Sequence, residues 1–572
     1  MRYLTLACDY DGTLARDGRV SSETLTKLEE VKASGRRLLL VTGRELTDLL
    51  YVFPQISIFD RVVAENGALM YTPATREEKL LAAPPSQEFV SALVAKGVQP
   101  LSVGKVIVAT EHPNETIVLE TIRDLGLELQ VIFNKGSVMI LPTGINKATG
   151  LTIALRDMGL SPHNAVGVGD AENDHAFLTL CECSIAVEDA VPMLKDTADF
   201  VASHGNGQGV AELIDRLLSH DMRDVDARLT RHHILLGERE DGSEVLVSPY
   251  RVNILLAGTS GSGKSTVATG FLERLSEAKY QFCIFDPEGD YENFEGVVTN
   301  GSAQKEPNIQ EILQLLENPE QNLVVNLLGI KLENRPGFFA ELLPRIQELR
   351  VRTGRPHWMV IDEAHHLMPV SWDPAPSVLP NDLYGMLFIT VHPDRIAPAI
   401  LSTVDLVLAK GEAPEEIIKG VTQELEEALP QVEHIELDTD EILIWFREQK
   451  NSTPFRMKAA TTRSERKRHR RKYAEGELPP ELSFYFRGPD QKLNLRAQNL
   501  ALFVQLADGV DDDTWMYHLR RGEYSHWMRD VIKDEILASE IAGIEAREDL
   551  SAAQSRALVK DAIEQLYIVP SR

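Results

Sequence analysis

Cysteine is scarce in this chain: Cys8, Cys181, Cys183 and Cys283 are the only four in 572 residues. That excludes a disulfide framework, and Cys181 and Cys183 form a C-x-C with no second pair to complete a zinc site. All four read as thiols of a reducing compartment. Positive charge is short as well. Lys and Arg number 59 against 87 Asp and Glu, a formal charge of −28, which repels nucleic acid and anionic membrane except where basic residues cluster. No uninterrupted apolar run is long enough to cross a bilayer, and a core strand beginning at about Tyr3 leaves no room for a signal peptide. A cytoplasmic protein with no membrane partner is expected. At 572 residues the chain is too long for one hydrophobic core, so three or four domains are expected.

What is present is phosphate chemistry, twice. The apolar run Tyr3–Cys8 reads as a buried parallel strand ending at Asp9-Tyr10-Asp11-Gly12. Chemistry in open α/β sheets sits at the carboxyl ends of strands. Two aspartates at i and i+2 leave on one side and repel each other unless a cation lies between them, and Mg²⁺ suits paired carboxylates. A second strand, Arg37–Val41, ends at Thr42-Gly43-Arg44, a hydroxyl and a backbone N–H able to hold a phosphate. Lys147 opens an amphipathic helix, and the strand Ala165–Val168 is followed by Gly169-Asp170-Ala-Glu172-Asn173-Asp174. A lone D-x-D is usually a solvated turn; four such motifs in order are not.

Residues 1–220 with these motifs resemble the haloacid dehalogenase (HAD) superfamily of phosphatases. Ala64-Glu65-Asn66-Gly67 and Asn206-Gly207-Gln-Gly209 resemble its Cof-type, sugar-phosphatase branch. The resemblance implies that Asp9 is the nucleophile and that Asp11 serves as acid and then base. It implies that Thr42, Gly43, Lys147 and Asn173 hold the phosphoryl group, and that Asp9, Asp11 (through its carbonyl) and Asp170 hold Mg²⁺, with Asp174 orienting the cluster. Between Thr42 and Lys147, residues 80–143 read as helix 86–96, strand 105–110, helix 113–125 and two strands around Asn134-Lys-Gly136, a turn signal. This is similar to the small cap of archaeal-type phosphoglycolate phosphatases, which implies a small phosphomonoester substrate.

The second phosphate motif is Gly258-Thr-Ser-Gly261-Ser262-Gly263-Lys264-Ser265-Thr266, between the strand Asn253–Ala257 and a helix. Backbone N–H groups of such a loop cradle the phosphates of ATP, the lysine neutralises charge, and Ser265 ligates Mg²⁺. The strand Trp358–Ile361 ends in Asp362, for the metal, and Glu363, to activate water. With Phe285-Asp-Pro-Glu-Gly-Asp-Tyr291, residues 228–450 resemble the HerA/FtsK group of hexameric DNA translocases, which implies a ring. That group usually carries Gln at the phosphate-sensing strand end, where this chain has His392. Arg335, Arg345, Arg350, Arg352 and Arg395 are the arginine-finger candidates.

A basic stretch, Arg463–Lys472, lies within 451–480. It lacks interleaved aromatics for base stacking, so a solvated linker is favoured over a DNA-binding element. Residues 481–572 are expected to be mainly helical, with a β-like start at Ser483–Arg487 and helices over 495–506 and 525–566. The concentration of His518, His526, Trp515 and Trp527 there reads as an aromatic core with capping histidines. This module is taken as a partner- or subunit-binding element. The expected fold is α/β multidomain: a Rossmann-like core with a cap, a RecA-like ATPase and a helical module. The expected function is a Mg²⁺-dependent phosphomonoester hydrolase whose ATPase domain regulates or assembles it. The alternative is a DNA translocase whose HAD domain trims nucleotide or DNA-end phosphates, and a ring scaffold with one inert domain is the third reading.

Overall fold

The strand Thr5–Cys8 is buried along its whole length because parallel strands cover both its edges and helices its faces. In the computed structural model it is central to an eight-stranded sheet. From one edge the order is Phe200–Val201, Cys183–Ala186, Ala165–Gly169, Thr5–Cys8, Arg37–Val41, Arg61–Ala64, Leu69–Thr72 and Glu77–Leu80. The first six strands are parallel and the last two antiparallel. The three strands that end at Asp9, Thr42 and Asp170 are therefore immediate neighbours. The structure describes all residues except 293, 373–382, 432–433, 448–451, 463–477, 479–481, 533, 548 and 568–572. The basic stretch Arg463–Lys472 lies outside the described residues.

The segment between this core and Lys147 forms an antiparallel four-stranded sheet, ordered Leu101–Val103, Val108–Glu111, Ser137–Pro142, Leu129–Asn134, with the helices Gln87–Ala95 and Glu115–Asp124. Ser86 caps the first helix by accepting the Phe89 N–H at 3.1 Å. Phe89, Leu93, Val118 and Ile140 form its own small core. It is tied to the main sheet by Glu65, whose carboxylate accepts the backbone N–H groups of Lys105, Val106 and Ile107 at 3.0, 2.7 and 3.0 Å.

The central sheet has eleven strands. Its parallel part runs Leu406–Lys410, Asn253–Gly258, Met386–Thr390, Trp358–Ile361, Phe282–Asp286, Asn322–Asn326, Val297–Asn300. One strand, Met386–Thr390, thus separates the phosphate-loop strand from the strand that ends at Asp362. The sheet continues past residue 450: Phe455–Ala459 pairs antiparallel with Glu441–Phe446, so the segment after 450 begins as a strand rather than a linker.

The chain divides into two compact units, Met1–Lys264 with Phe271–Ala460, and Ser265–Gly270 with Thr461–Arg572. Within the first unit, the N-terminal and central sheets share a buried polar seam. Glu182 accepts Arg2 Nη2 at 2.7 Å, His163 Nδ1 at 2.7 Å and the Tyr280 hydroxyl at 2.7 Å. Burial works against the Glu182 charge, but the His163 hydrogen bond and the Arg2 guanidinium outweigh it and hold the carboxyl below the usual range. The His163 ring stacks on Tyr280 with centroids 3.7 Å apart, and its Nε2 bonds the Ala278 carbonyl at 2.7 Å. Ala278 is the C-cap of Lys264–Glu277, the helix that starts at the phosphate loop. His357 and Arg355 add bonds to Asn164 and Gly159. His163, Glu182 and His232 lie close enough to hold a cation, but His163 and Glu182 already spend their polar atoms on the seam.

In the second unit, Phe484–Phe486 pairs antiparallel with Leu495–Ala497. The expected helix over 495–506 is therefore a strand followed by the helix Leu500–Gly509. The expected helix over 525–566 is broken into Glu523–Asp530, Glu535–Glu545 and Ala552–Tyr567. His518 Nε2 accepts the backbone N–H groups of Arg487 and Gly488 at 3.0 and 3.3 Å, a capping role. Trp515 and Tyr524 stack at 4.5 Å in an aromatic core.

Candidate active sites

Asp9 follows its strand directly and is buried, its N–H donating to the Val168 carbonyl at 3.0 Å. Lys147, fully buried at the start of the helix Lys147–Asp157, places Nζ 2.5 Å from Asp9 Oδ1 and 2.5 Å from Asp174 Oδ1. Asp174 Oδ2 accepts the N–H groups of Asp170 and Ala171 at 2.9 and 3.0 Å, which fixes the loop after Ala165–Gly169. Thr13 donates its hydroxyl to Asp170 Oδ1 at 2.9 Å. Burial pushes the Asp9 carboxyl well up, Asp174 pushes it further and Lys147 opposes both. Burial also works against the Lys147 ammonium, yet Asp174 and Asp9 together hold it above its ordinary range. Carboxylate oxygens of Asp9, Asp170 and Asp174 lie within 4.8 Å of one another. Three buried acids with converging carboxylate oxygens form a donor set that fits a divalent cation.

Gly12 has φ of +81°, and a Cβ there would fall 2.2 Å from Asp170 Oδ2, so only glycine lets the Asp9–Asp11 loop approach that acid. Thr42 ends its strand with its N–H on the Val63 carbonyl at 2.8 Å, and its hydroxyl accepts the Arg44 N–H at 3.1 Å. Asn173 donates to Asn66 at 3.0 Å, which ties the Asp170 loop to the Glu65-Asn66-Gly67 turn. Asp11 stands apart from the acid cluster. It is exposed and gripped by Arg44, Nε to Oδ2 at 2.6 Å and Nη2 to Oδ1 at 2.7 Å. Arg44 and Lys135 are the two residues that the sequence reading left without a role. Lys135, in the turn between Leu129–Asn134 and Ser137–Pro142, bonds Asp170 from the cap side.

In the central sheet, Gly261 and Gly263 have φ of +78° and +91°, and a Cβ at Gly258 would meet the Lys410 carbonyl at 2.2 Å. Lys264 Nζ donates to the Gly258 and Thr259 carbonyls, both at 3.0 Å, and burial lowers its pKa against the pull of Glu363 and Asp362. Ser265 and Thr266 follow in the first turn of the helix. Asp362 is buried. Its carboxyl is pushed well up by burial, then by Asp286 and Glu363. Glu363 takes the left-handed conformation, φ +42°, and burial and Glu288 raise its pKa. Buried Ser262 Oγ and Glu363 Oε2 have no hydrogen-bond partner. A glycine cradle with two orphaned polar atoms fits a nucleotide phosphate and an attacking water.

His392 donates its N–H to Thr390 Oγ1 at 2.9 Å, and its ring stands edge-on to His365 at 5.3 Å. His365 bonds the same hydroxyl at 3.0 Å; burial, His366 and His392 push its pKa down to about 4, so it is neutral at pH 7. The strand end therefore carries a histidine group rather than the single polar residue expected. Asp286 spends its carboxylate on the backbone N–H groups of Glu288, Gly289, Asp290 and Tyr291, which makes that motif a rigid turn beside Asp362. Arg350 is no finger: it is buried and spent on the carbonyls of Pro356, Tyr384 and His357.

The similarity to known proteins follows this division. Residues 6–121 and 96–214 match the family model of haloacid dehalogenase-like hydrolases, and residues 250–388 match that of an AAA domain. The chain is similar to a phosphoglycolate phosphatase of Methanothermobacter thermautotrophicus, 29% identical over 223 residues, which are 37% of this chain and 98% of that protein. It is also similar to phosphoglycolate phosphatase 2 of Saccharolobus solfataricus, 28% identical over 225 residues, 38% of this chain and 93% of that one. A solved haloacid dehalogenase-like hydrolase from Bacteroides thetaiotaomicron is 18% identical, covering 38% of this chain and 99% of that chain, with a TM-score of 0.34. The two matches lie in separate parts of the chain and support hydrolase activity in each, phosphatase in the first and ATP hydrolysis in the second. Among the described residues no helix is long and apolar enough to cross a membrane.

Proposed function

We propose that the N-terminal domain hydrolyses a small phosphomonoester of the phosphoglycolate kind through an aspartyl-phosphate on Asp9. The observation that carries this reading is the Asp9–Lys147–Asp174 ion cluster beside Asp170, at the ends of adjacent strands under a docked cap. Lys147, 2.5 Å from Asp9 Oδ1, favours the carboxylate against the burial that raises its pKa. An Asp9 carboxylate oxygen attacks phosphorus, the ester P–O bond breaks, and Asp11 gives its proton to the departing alkoxide. Water then attacks the acyl phosphate, Asp11 takes back a proton, and phosphate leaves. Thr42, the Gly43 N–H, Lys147 and Asn173 bind the phosphoryl oxygens. Arg44 reserves Asp11 at the mouth, so substrate has to exchange that ion pair for its leaving oxygen. Asp9, Asp170 and the Asp11 carbonyl would hold Mg²⁺, which neutralises phosphoryl charge when bound. Acid quenching during turnover should trap a hydroxylamine-labile phosphoenzyme that Asp9→Asn lacks; no trapped phosphate in the native protein would sink the covalent route.

The central domain, in this reading, hydrolyses ATP, with Gly258, Gly261, Ser262, Gly263, Lys264, Ser265 and Thr266 on the nucleotide. Asp362 and Ser265 would serve Mg²⁺, Glu363 the attacking water and His392 the γ-phosphate. The strand between the phosphate loop and Asp362, and the Asp286 turn, support a HerA-like assignment and a ring of copies. Regulation of the phosphatase is favoured over DNA pumping because the seam joins the phosphate-loop helix to the domain that carries Asp170. Four buried free thiols suit a cytoplasmic setting. ATPase activity stimulated by DNA at low salt and lost steeply with added salt would favour the translocase reading instead.

A further inference from the structure

We infer that Lys135 is a specificity-determining residue that pairs with a carboxylate on the alcohol half of the substrate. This rests on the phosphatase reading above and adds to it the partner of one charge. Lys135 and Gly136 form a two-residue turn between paired Asn134 and Ser137, with φ of +45° and +90°. Both positive values mark the tight hairpin turn that follows the twist of its strands. The turn drives the lysine away from the cap and into the site. Its ammonium bonds Asp170 Oδ2 and lies 3.1 Å from where a Cβ on Gly12 would stand. The side chain is about half exposed, 49%, whereas its partner is buried, so the ammonium faces both the acid cluster and the space above it.

Among the described residues beside the acid cluster, Lys135 bonds one acid while two further cations bond two each. Lys147 is shared by Asp9 and Asp174, and Arg44 by Asp11 and Asp48. The leaving oxygen departs on the side of phosphorus opposite Asp9, which is the side the cap covers. Lys135 is the cap's charged group there. Met139 from the adjoining strand reaches within 3.1 Å of the Cβ position of Gly43 and sets an apolar wall beside the turn that follows Thr42. A half-exposed cation beside an apolar wall selects an anion on a short chain. A carboxylate one or two carbons from the ester oxygen meets that description, and a neutral sugar does not. Such an anion competes with Asp170 for the ammonium and leaves the phosphoryl-binding groups untouched.

The test compares 2-phosphoglycolate with p-nitrophenyl phosphate, whose alcohol half has no carboxylate, using the full-length protein with Mg²⁺. The quantity read is the ratio of the two kcat/KM values. In the native protein it should favour phosphoglycolate. Lys135→Met should collapse it about 10- to 100-fold, mostly through KM, in keeping with loss of one charge-assisted bond, and Lys135→Arg should restore most of it. An unchanged ratio in Lys135→Met, with both substrates losing equally, makes the lysine a cap latch and overturns the inference. A native protein that does not prefer phosphoglycolate overturns it too, while leaving Asp9 chemistry in place. If Asp9→Asn leaves turnover of both substrates unchanged, the phosphatase reading itself fails and this inference falls with it.

Discussion

Tyr280 donates its hydroxyl to Glu182 at 2.7 Å, in a buried contact that links the sheet carrying the phosphate loop to the sheet carrying Asp9. The same carboxylate accepts Arg2 and His163, so one acid collects three donors from two domains. Tyr280→Phe removes one of them and should lower stability by roughly 1.5–3 kcal/mol, the worth of a hydrogen bond to a charged group. Glu182→Ala leaves Arg2 buried without its closest acid and should cost more, about 3–5 kcal/mol. Denaturant unfolding measures both; equal midpoints for the two variants and the native protein would mean that the seam is not structural.

The seam is also sensitive to acid. His357 Nδ1 accepts the Gln281 N–H at 2.9 Å, which requires the ring to be neutral on that nitrogen. Burial, with His163, Arg355 and Arg350 nearby, pushes its pKa well below 6.5, against the pull of Glu182. The folded protein therefore leaves this ring unprotonated where the unfolded chain binds a proton. Its contribution is complete above pH 6.5 and is lost as pH falls below, at about 1.4 kcal/mol per unit. Stability measured from pH 7.5 to 5.5 should fall, and His357→Gln, which keeps an acceptor, should flatten that slope.

Lys147 balances two buried carboxylates. Lys147→Met should abolish phosphatase turnover and destabilise the N-terminal domain by about 3 kcal/mol, because Asp9 and Asp174 then face each other uncompensated. ATPase activity should persist. Retained phosphatase activity in this variant would remove Lys147 from the mechanism.

In the proposed mechanism Asp11 does the acid–base work and Arg44, which clamps it, controls its release. Asp11→Asn should lower kcat about 100- to 10,000-fold, the range for a lost general acid. Arg44→Met frees Asp11 from its clamp but spares the carboxyl, and its effect should be smaller. A larger loss from Arg44→Met than from Asp11→Asn would assign the catalytic role to the arginine.

Much of this was readable in the chain because each motif falls at a strand end or helix start, where local pattern and chemistry coincide. Asp9, Thr42 and Asp170 each follow a short apolar run, and Lys147 follows the Asn146 cap. Lys135 read only as part of a turn, since its reach to Asp170 depends on how the cap docks. The Glu182 seam joins residues 98 positions apart and has no local signature. Leu495–Ala497 has the composition of a helix start and becomes a strand because Phe484–Phe486 offers it an edge. The histidine group at Thr390 was half visible: His392 sits at the strand end, but His365 and His366 reach it from the turn after Asp362.

The central claim is that one chain holds two separate hydrolytic sites, one working through Asp9 and the other through Lys264. The direct test assays Asp9→Asn and Lys264→Ala, each for phosphoglycolate hydrolysis and for ATP hydrolysis. Asp9→Asn should abolish the first and spare the second, and Lys264→Ala should abolish the second while leaving an Asp9-dependent phosphatase. Loss of both activities in either variant would mean a single coupled reaction, and phosphatase activity surviving in Asp9→Asn would contradict the account outright.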